Sequence, residues 1–207
     1  MLAGTNGAGK SSIIGEMIRC SGADYFDPDE AARAIRTADP GLSPEQANGL
    51  AWQQGKRLLE RAIAERLDFA FETTLGGRTI TRLLLLASAS GIEVRVWYVG
   101  LQGPELHIAR VRSRVERGGH DVPEATIRKR YESSRANLVA LLPELTELRV
   151  YDNSDAGDPA QGVVPQPTLV LHVRRGKRVG ARDLLSTPEW AKPIVAAALR
   201  VTARRRR

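Results

Sequence analysis

Near its start the chain carries the stretch Gly4-Thr5-Asn6-Gly7-Ala8-Gly9-Lys10-Ser11, which matches the pattern G-x-x-x-x-G-K-[ST] at every fixed position. Glycines let the backbone turn so that successive N–H groups converge on a phosphate, and a following helix directs its positive end at the same anion. Lys10 is suited to bridge the β- and γ-phosphates of a nucleoside triphosphate, and the Ser11 hydroxyl to reach Mg²⁺. The stretch predicts that Gly4 to Ser12 bind ATP or GTP with Mg²⁺.

Apolar stretches of strand length alternate with helical patterns of 3.6-residue period along the chain. This alternation predicts an α/β fold, a parallel sheet with helices on both faces. Together with the Gly4 to Ser11 motif it indicates the P-loop NTPase type. Strands are expected near residues 25–26, 69–71, 92–99 and 148–151, the last of these closing the main sheet; helices are expected at 10–20, 43–67, 78–90, 104–117 and 124–141. The first strand is represented only by residues 1–3, so we expect the natural chain to begin earlier.

The composition divides the chain into three parts. Residues 1–155 form the predicted kinase-type domain, with a helical lid at about 104–141, and residues 156–167 have the Gly, Asp, Pro and Gln content of a linker. Residues 168–207 are a basic C-terminal extension in which 168–173 and the stretch around Val179 are expected to pair as a hairpin. This part is a domain-specific extension, a docking surface or a piece of the sheet edge.

The chain has 31 Lys and Arg against 24 Asp and Glu, a formal charge of +7, which favours acidic partners such as nucleotides. The arginine run at 204–207 is more typical of a solvated tail than of a nucleic-acid contact. No apolar run reaches the roughly 20 residues that cross a bilayer, so we expect a cytoplasmic protein without a membrane partner. The single cysteine, Cys20, fits the apolar face of a helix.

Two acids, Asp27 and Asp29, follow the short second strand. The carboxyl ends of parallel strands open toward bound ligand, where a carboxylate can accept the proton of a hydroxyl that attacks the γ-phosphate. Either acid could instead cap the helix that begins there. We favour Asp29 as the catalytic base, because it would lie deeper in the first turn, and Asp27 as a substrate contact.

A second acid, Glu72, ends a buried strand and is followed by Thr73 and Thr74. An acid at this place resembles the second metal-binding acid of P-loop enzymes, so Glu72 is expected to hold a Mg²⁺ water or to bind the acceptor together with the two threonines. The alternative is a helix cap for the segment after Gly76-Gly77, which Thr74 could provide alone.

Three arginines, Arg110, Arg114 and Arg117, stand at i, i+4 and i+7 of one predicted helix and so share a face. Arginines on a lid are suited to stabilise the charge of a phosphoryl group in transfer, with Gly118-Gly119 as the hinge. The alternative is an ordinary solvated helix face. Arg130, Ser134 and Asn137 repeat the spacing on the next helix and are predicted to line the same cleft.

The ordered combination of these motifs resembles the zeta-toxin-like P-loop kinases, in the compact branch often labelled as ABC-type ATPases. The resemblance is carried by residues 4–12, 26–29, 69–75, Arg110 with Arg114, Gly118-Gly119-His120, Arg130 with Ser134, and 151–154. It implies that Lys10 and Ser11 bind nucleotide and metal, that Asn153 belongs to the nucleotide site, and that His120, Arg130 and Ser134 contact the acceptor. No L-S-G-G-Q signature supports the ABC label.

The sequence therefore predicts a Mg²⁺- and ATP-dependent small-molecule kinase. The resemblance implies an acceptor like UDP-N-acetylglucosamine, a toxin role and an antitoxin partner. Two alternatives stay open: a kinase of a nucleoside or an RNA end, and a nucleotide-gated switch protein whose basic tail contacts nucleic acid.

Overall fold

The computed structural model describes residues 1–10, 25–155, 166–181 and 185–204. Seven strands form one sheet in the order β2-β3-β1-β4-β5-β6-β7. The strands are β1 (Leu2–Ala3), β2 (Tyr25–Phe26), β3 (Ala70–Thr73), β4 (Arg95–Gly100), β5 (Glu147–Asp152), β6 (Thr168–Arg174) and β7 (Lys177–Ala181). The helices are α1 (Pro28–Ala38), α2 (Pro44–Glu65), α3 (Arg78–Ala89), α4 (Pro104–Glu116), α5 (Glu124–Leu141) and α6 (Lys192–Arg204). The predicted α/β fold is confirmed; the predicted helix at 10–20 lies largely outside the described residues.

The first five strands run parallel, and the phosphate-binding stretch follows the central one. Leu2 and Ala3 of β1 are fully buried, and they pair with β3 on one side and β4 on the other. Because parallel strands share an orientation, the residues after each strand meet at one edge of the sheet. That edge positions the candidate site.

The sequence predicted β5 as the last strand of the main sheet, but the sheet continues beyond it. The hairpin of β6 and β7 forms as predicted, and β6 pairs antiparallel with β5 over the whole strand. The residues of β6 explain this, because Leu171 and Val173 alternate into the main core while an uncovered β5 edge would leave its N–H and C=O groups unpaired. Residues 168–181 are therefore part of the sheet edge.

Several local signals in the sequence set the helix ends. Ser43 and Gln46 form a capping box at the start of α2, and α4 ends at Glu116, two residues before Gly118. Pro123 stands at the N-cap of α5, and Asp121 Oδ1 accepts a hydrogen bond from Val122 N. Among the described residues, no helix has the length and apolarity needed to cross a membrane.

Candidate active site

The phosphate-binding stretch has the backbone that its glycines predict. Gly4 has φ +145°, and a Cβ there would lie 2.2 Å from the carbonyl oxygen of Val99. Gly9 has φ +84°, and a Cβ there would lie 2.5 Å from Asn153 Nδ2. The turn can thus pass closely between β4 and the residue after β5 only because both positions lack a side chain. Ser11 and Ser12 lie outside the described residues.

The Lys10 side chain is buried against a carboxylate at the end of β3. Its Nζ lies 3.3 Å from Glu72 Oε1 and donates to the carbonyl oxygen of Thr5 at 3.4 Å. The hydroxyl of Tyr25 donates to Glu72 Oε2 at 3.0 Å. Glu72 thus lies beside Lys10, the lysine predicted to bind phosphate, and it does not cap α3, whose N-cap Gly77 has no side-chain hydrogen bond. Sequence reasoning missed Tyr25; the parallel pairing of β2 with β3 brings it there.

The two acids after β2 have different environments. Asp27 is buried and caps α1, where its Oδ1 accepts from the backbone N of Asp29 at 2.9 Å and of Glu30 at 3.4 Å. Burial, followed by the negative charge of Glu72, raises the pKa of the Asp27 carboxyl. The Asp29 side chain is 50% exposed, and its Oδ2 lies 3.5 Å from Arg114 Nη1. Asp29 is therefore the acid that solvent and an acceptor can reach.

Two of the three arginines predicted to share a helix face, Arg110 and Arg114, reach this edge of the sheet. Arg110 donates to the carbonyl oxygen of Asn153 at 2.8 Å, and burial lowers the pKa of its guanidinium. Arg114 contacts Asp29 and donates to the carbonyl oxygen of His120 at 2.7 Å. Arg117 is exposed and stands past the end of α4, so the helix face predicted for three arginines carries only two. We do not retain Arg117 among the candidate catalytic residues.

The helices α4 and α5 are bonded to the phosphate-binding turn through Asn6. His107 Nδ1 donates to the carbonyl oxygen of Asn6 at 2.8 Å, and Arg130 Nη1 donates to Asn6 Oδ1 at 2.9 Å. A Cβ at Gly7 would lie 2.6 Å from the carbonyl oxygen of His107. The predicted lid at 104–141 is thus packed on the nucleotide site at its base. The side chain of His107 is buried in this contact.

Asn153 joins the end of β5 to the same turn. Its Nδ2 donates to the carbonyl oxygen of Ala8 at 2.9 Å. Its Oδ1 is buried and has no hydrogen-bond partner among the described residues. A buried acceptor without a partner is costly, so this oxygen is available to a donor group of a ligand bound at the turn.

The remaining predicted substrate contacts fall into two groups. Thr73 and Thr74 are partly exposed at the end of β3, although Thr73 Oγ1 also accepts from Leu75 N at 3.0 Å. His120 is exposed at the tip of the α4–α5 pair, with its Nε2 3.2 Å from Asn48 Nδ2. Ser134 is 0% exposed, and its hydroxyl bonds Tyr98 at 3.0 Å, so it belongs to the core and we do not retain it as a substrate contact.

Other polar residues on α5 serve the fold. Asn137, predicted to line the cleft, donates to the carbonyl oxygen of Leu75 at 2.8 Å. It therefore fixes the loop after β3. Within the described part of the chain, no group of three or more His, Cys, Asp or Glu side chains is arranged to hold a metal ion.

Comparisons with known proteins show the family to which the chain belongs. The family model for the zeta toxin matches residues 1–158. An uncharacterized protein of Haemophilus influenzae is 31% identical over 132 residues, which cover 62% of this chain and 88% of that protein.

Two solved structures share the fold. The AvrRxo1-ORF1:AvrRxo1-ORF2 complex with sulphate ions matches with a TM-score of 0.64 at 15% identity, over 95% of this chain and 62% of that one. The same complex has also been solved with ATP. The PezAT chromosomal toxin-antitoxin system of Streptococcus pneumoniae matches with a TM-score of 0.54 at 17% identity, over 79% of this chain and 72% of that one. The chain thus spans less than two thirds of the AvrRxo1 chain that it matches.

Proposed function

Since the chain belongs to the zeta toxin family, we propose that it is a kinase that transfers the γ-phosphate of ATP to a hydroxyl of a small-molecule acceptor. The observation that carries the proposal is the convergence of Lys10, Glu72 and Asp29 with Arg110 and Arg114 at one edge of the sheet. An ATPase also needs a lysine such as Lys10. Transfer to a hydroxyl needs in addition a carboxylate that can take the proton of the acceptor, and the half-exposed Asp29 beside Arg114 is suited to this.

Each group has a defined part in the proposed transfer. The acceptor oxygen forms a bond to the γ-phosphorus while the bond from that phosphorus to the β,γ-bridging oxygen breaks, and ADP leaves. Asp29 takes the proton of the hydroxyl, and Lys10 with the turn amides holds the phosphates. Arg110 and Arg114 balance the negative charge that spreads over the transferred group.

The donor atoms near Lys10 fit a magnesium ion. Mg²⁺ prefers oxygen ligands and keeps several waters, so one hydroxyl or carboxylate with the substrate phosphates is sufficient. We propose that Ser11 supplies the direct ligand and Glu72 lies beside it, holding a water or a hydroxyl of the acceptor. When bound, the ion neutralises phosphate charge.

The acceptor that we propose is a nucleotide sugar of the UDP-N-acetylglucosamine type, and the proposed biology is that of a cytoplasmic toxin with an antitoxin partner. Support comes from the family match and from the fold shared with proteins solved as toxin-antitoxin complexes. The net charge of +7 suits such an anionic acceptor.

The test is incubation with labelled ATP and a panel of nucleotide sugars, nucleosides and short RNAs, followed by mass analysis of the products. We expect one phosphorylated nucleotide sugar, with Asp29→Asn losing at least 100-fold in kcat while ATP binding is kept. Asp68→Asn is the matched control, because Asp68 is exposed at the opposite edge of the sheet. Phosphorylation of an RNA end would show that the acceptor is RNA and not a nucleotide sugar. ATP binding without any phosphate transfer would refute the proposed kinase activity.

A further inference from the structure

Helix α2 forms one wall of a cleft above the candidate active site. Gly55 lies against the ring of Phe26 at the end of β2, because a Cβ there would be 2.5 Å from Phe26 Cε1. The eleven residues of α2 before Gly55 therefore extend past the edge of the sheet, by roughly 15 Å at 1.5 Å per residue. Near the free end of this wall, Asn48 Nδ2 meets His120 Nε2 at the tip of the α4–α5 pair. The carbonyl oxygen of His120 accepts from Arg114, which contacts Asp29, so the wall and the tip lie on either side of the space around Asp29.

Trp52 lies on the side of α2 that faces this space. Asn48, Trp52 and Gly55 stand at i, i+4 and i+7, so they form one stripe along the helix. The two outer members contact the lid tip and the sheet, which fixes the direction of the stripe. Helix α1 does not cover Trp52, because α1 packs on Ala47 and Ala51, which are on the neighbouring side of α2.

The exposure of Trp52 has no explanation in packing. Its side chain is 47% exposed, whereas Trp190 in the core is 3% exposed. Two cationic groups lie around the same space. Arg114 lies beside Asp29, and partial burial lowers the pKa of the Arg130 guanidinium, an effect that the charge of Asp29 partly offsets. An aromatic face combined with arginines matches a ligand that has both a ring system and phosphate groups.

We infer that Trp52 is the platform on which the nucleobase of a nucleotide-type acceptor stacks, with the acceptor phosphates directed at Arg114 and Arg130. This inference rests on the proposed function, and it names the part of the acceptor that the protein recognises. Base stacking on an aromatic side chain tolerates different bases, so Trp52 selects for a nucleotide over a simple sugar phosphate.

The experiment measures equilibrium binding of uridine 5′-diphosphate with the ATP site saturated by a non-hydrolysable ATP analogue. We expect Trp52→Ala to weaken binding by about 5- to 100-fold, the range typical of one lost base stack. Trp52→Phe should keep affinity within about three-fold, since a smaller aromatic face remains. Glucose 1-phosphate, which has no base, should bind weakly and equally to all variants.

Leu50→Ala is the matched control, because Leu50 is 41% exposed on the same helix but stands two residues away and faces another direction. Unchanged binding in Trp52→Ala, an equal loss in Leu50→Ala, or no uridine diphosphate binding by the wild type would each overturn the inference. Binding is measured without turnover, so it decides on Trp52 even if no acceptor is phosphorylated. Transfer with an unaffected Trp52→Ala would leave the kinase standing and remove the platform.

Discussion

Lys10 is held in the structure by a carboxylate, and the proposed binding of a nucleotide must exchange that contact for phosphate. Glu72 has one oxygen 3.3 Å from Lys10 Nζ and the other bonded to Tyr25. Both members of the pair are largely buried, so their attraction is screened less than that of a surface pair. Glu72 therefore opposes phosphate binding in two ways, by competing for Lys10 and by repelling a polyanion.

We predict that Glu72→Gln binds ATP about three- to ten-fold more tightly than the wild type when Mg²⁺ is chelated. With Mg²⁺ present, we expect the variant to transfer phosphate at least ten-fold more slowly. The first effect follows from the freed Lys10 and the removed negative charge. The second follows from the lost carboxylate beside the transferred group. Titration calorimetry and a turnover assay measure the two. Glu60→Gln, which breaks only the surface pair with Lys56, is the control; unaltered ATP affinity in Glu72→Gln would refute this reading.

His107 makes the free energy of unfolding depend on pH. Burial lowers the pKa of His107 from 6.5 to about 4, because the charged ring is poorly solvated where it meets Asn6. A base with a lowered pKa in the folded state contributes stability that is complete above its unfolded pKa. That contribution is lost as the pH falls from about 6.5 toward about 4.

We predict that the free energy of unfolding of the wild type falls over this window by up to about 3 kcal/mol more than that of His107→Asn. Asparagine can still donate to the Asn6 carbonyl but does not titrate. Urea unfolding at pH 7, 6, 5 and 4.5 provides the comparison. Parallel curves for the two proteins would show that the buried ring is not the titrating group.

At the scale of elements, α4 and α5 are bonded to the Gly4 to Lys10 turn at one end and contact α1 and α2 near the other end. Asn6 connects to both helices through His107 and Arg130. The tip holds Arg114 in place, because the carbonyl oxygen of His120 accepts from it. We therefore expect residues 117–123 to move when an acceptor binds, while the parts of α4 and α5 that are bonded to Asn6 stay in place.

We predict that Gly119→Ala lowers kcat by at least ten-fold and leaves ATP affinity within two-fold. A Cβ at Gly119 would lie 2.6 Å from Arg114 Cγ and 2.9 Å from the Arg114 carbonyl oxygen, so the arginine must shift away from Asp29. Gly49→Ala is the control, because no atom lies within 4 Å of its added Cβ and a helix-interior alanine stabilises by about 0.5–1 kcal/mol. Equal kcat in the two variants would contradict the prediction.

The sequence predicted the elements of this site far better than the contacts between them. The glycine pattern, the capping box and the apolar periodicity are local signals, so Gly4 to Lys10, Ser43 and the helix bounds could be recognised from neighbours along the chain. Tyr25 and His107 bond to partners 47 and 101 residues away along the chain. The side of α2 that carries Trp52 is oriented by the contact between Asn48 and His120, which are 72 residues apart. A periodicity also cannot distinguish a polar residue that faces a cleft from one that satisfies a core hydroxyl, as with Ser134.

At the scale of the whole molecule, the C-terminal segment completes the core of the domain. Trp190 donates to Asp152 Oδ1 at 3.0 Å and packs on Gly100, where a Cβ would lie 2.3 Å from its ring. Ile194 and Val195 of α6 are buried in the main core, and His172 of β6 donates to Glu147 at 2.7 Å. The basic composition of residues 168–207 indicated a separate extension. The apolar residues that pack into the core lie between exposed arginines, so their contribution to the core was not evident from the composition.

We predict that a protein lacking residues 168–207 is insoluble or unfolded, because the whole β5 edge and the apolar face over β4 would be exposed at once. Trp190→Ala tests the same packing in the full chain, and it should lower the free energy of unfolding by about 3–5 kcal/mol, as large-to-small core changes do. Trp52→Ala should change it by less than about 1 kcal/mol, because that side chain is half exposed. Urea unfolding of the two single variants and a turnover assay on the shortened protein test whether residues 168–207 are needed to build the domain. A soluble and active protein of 167 residues would show that they are not needed.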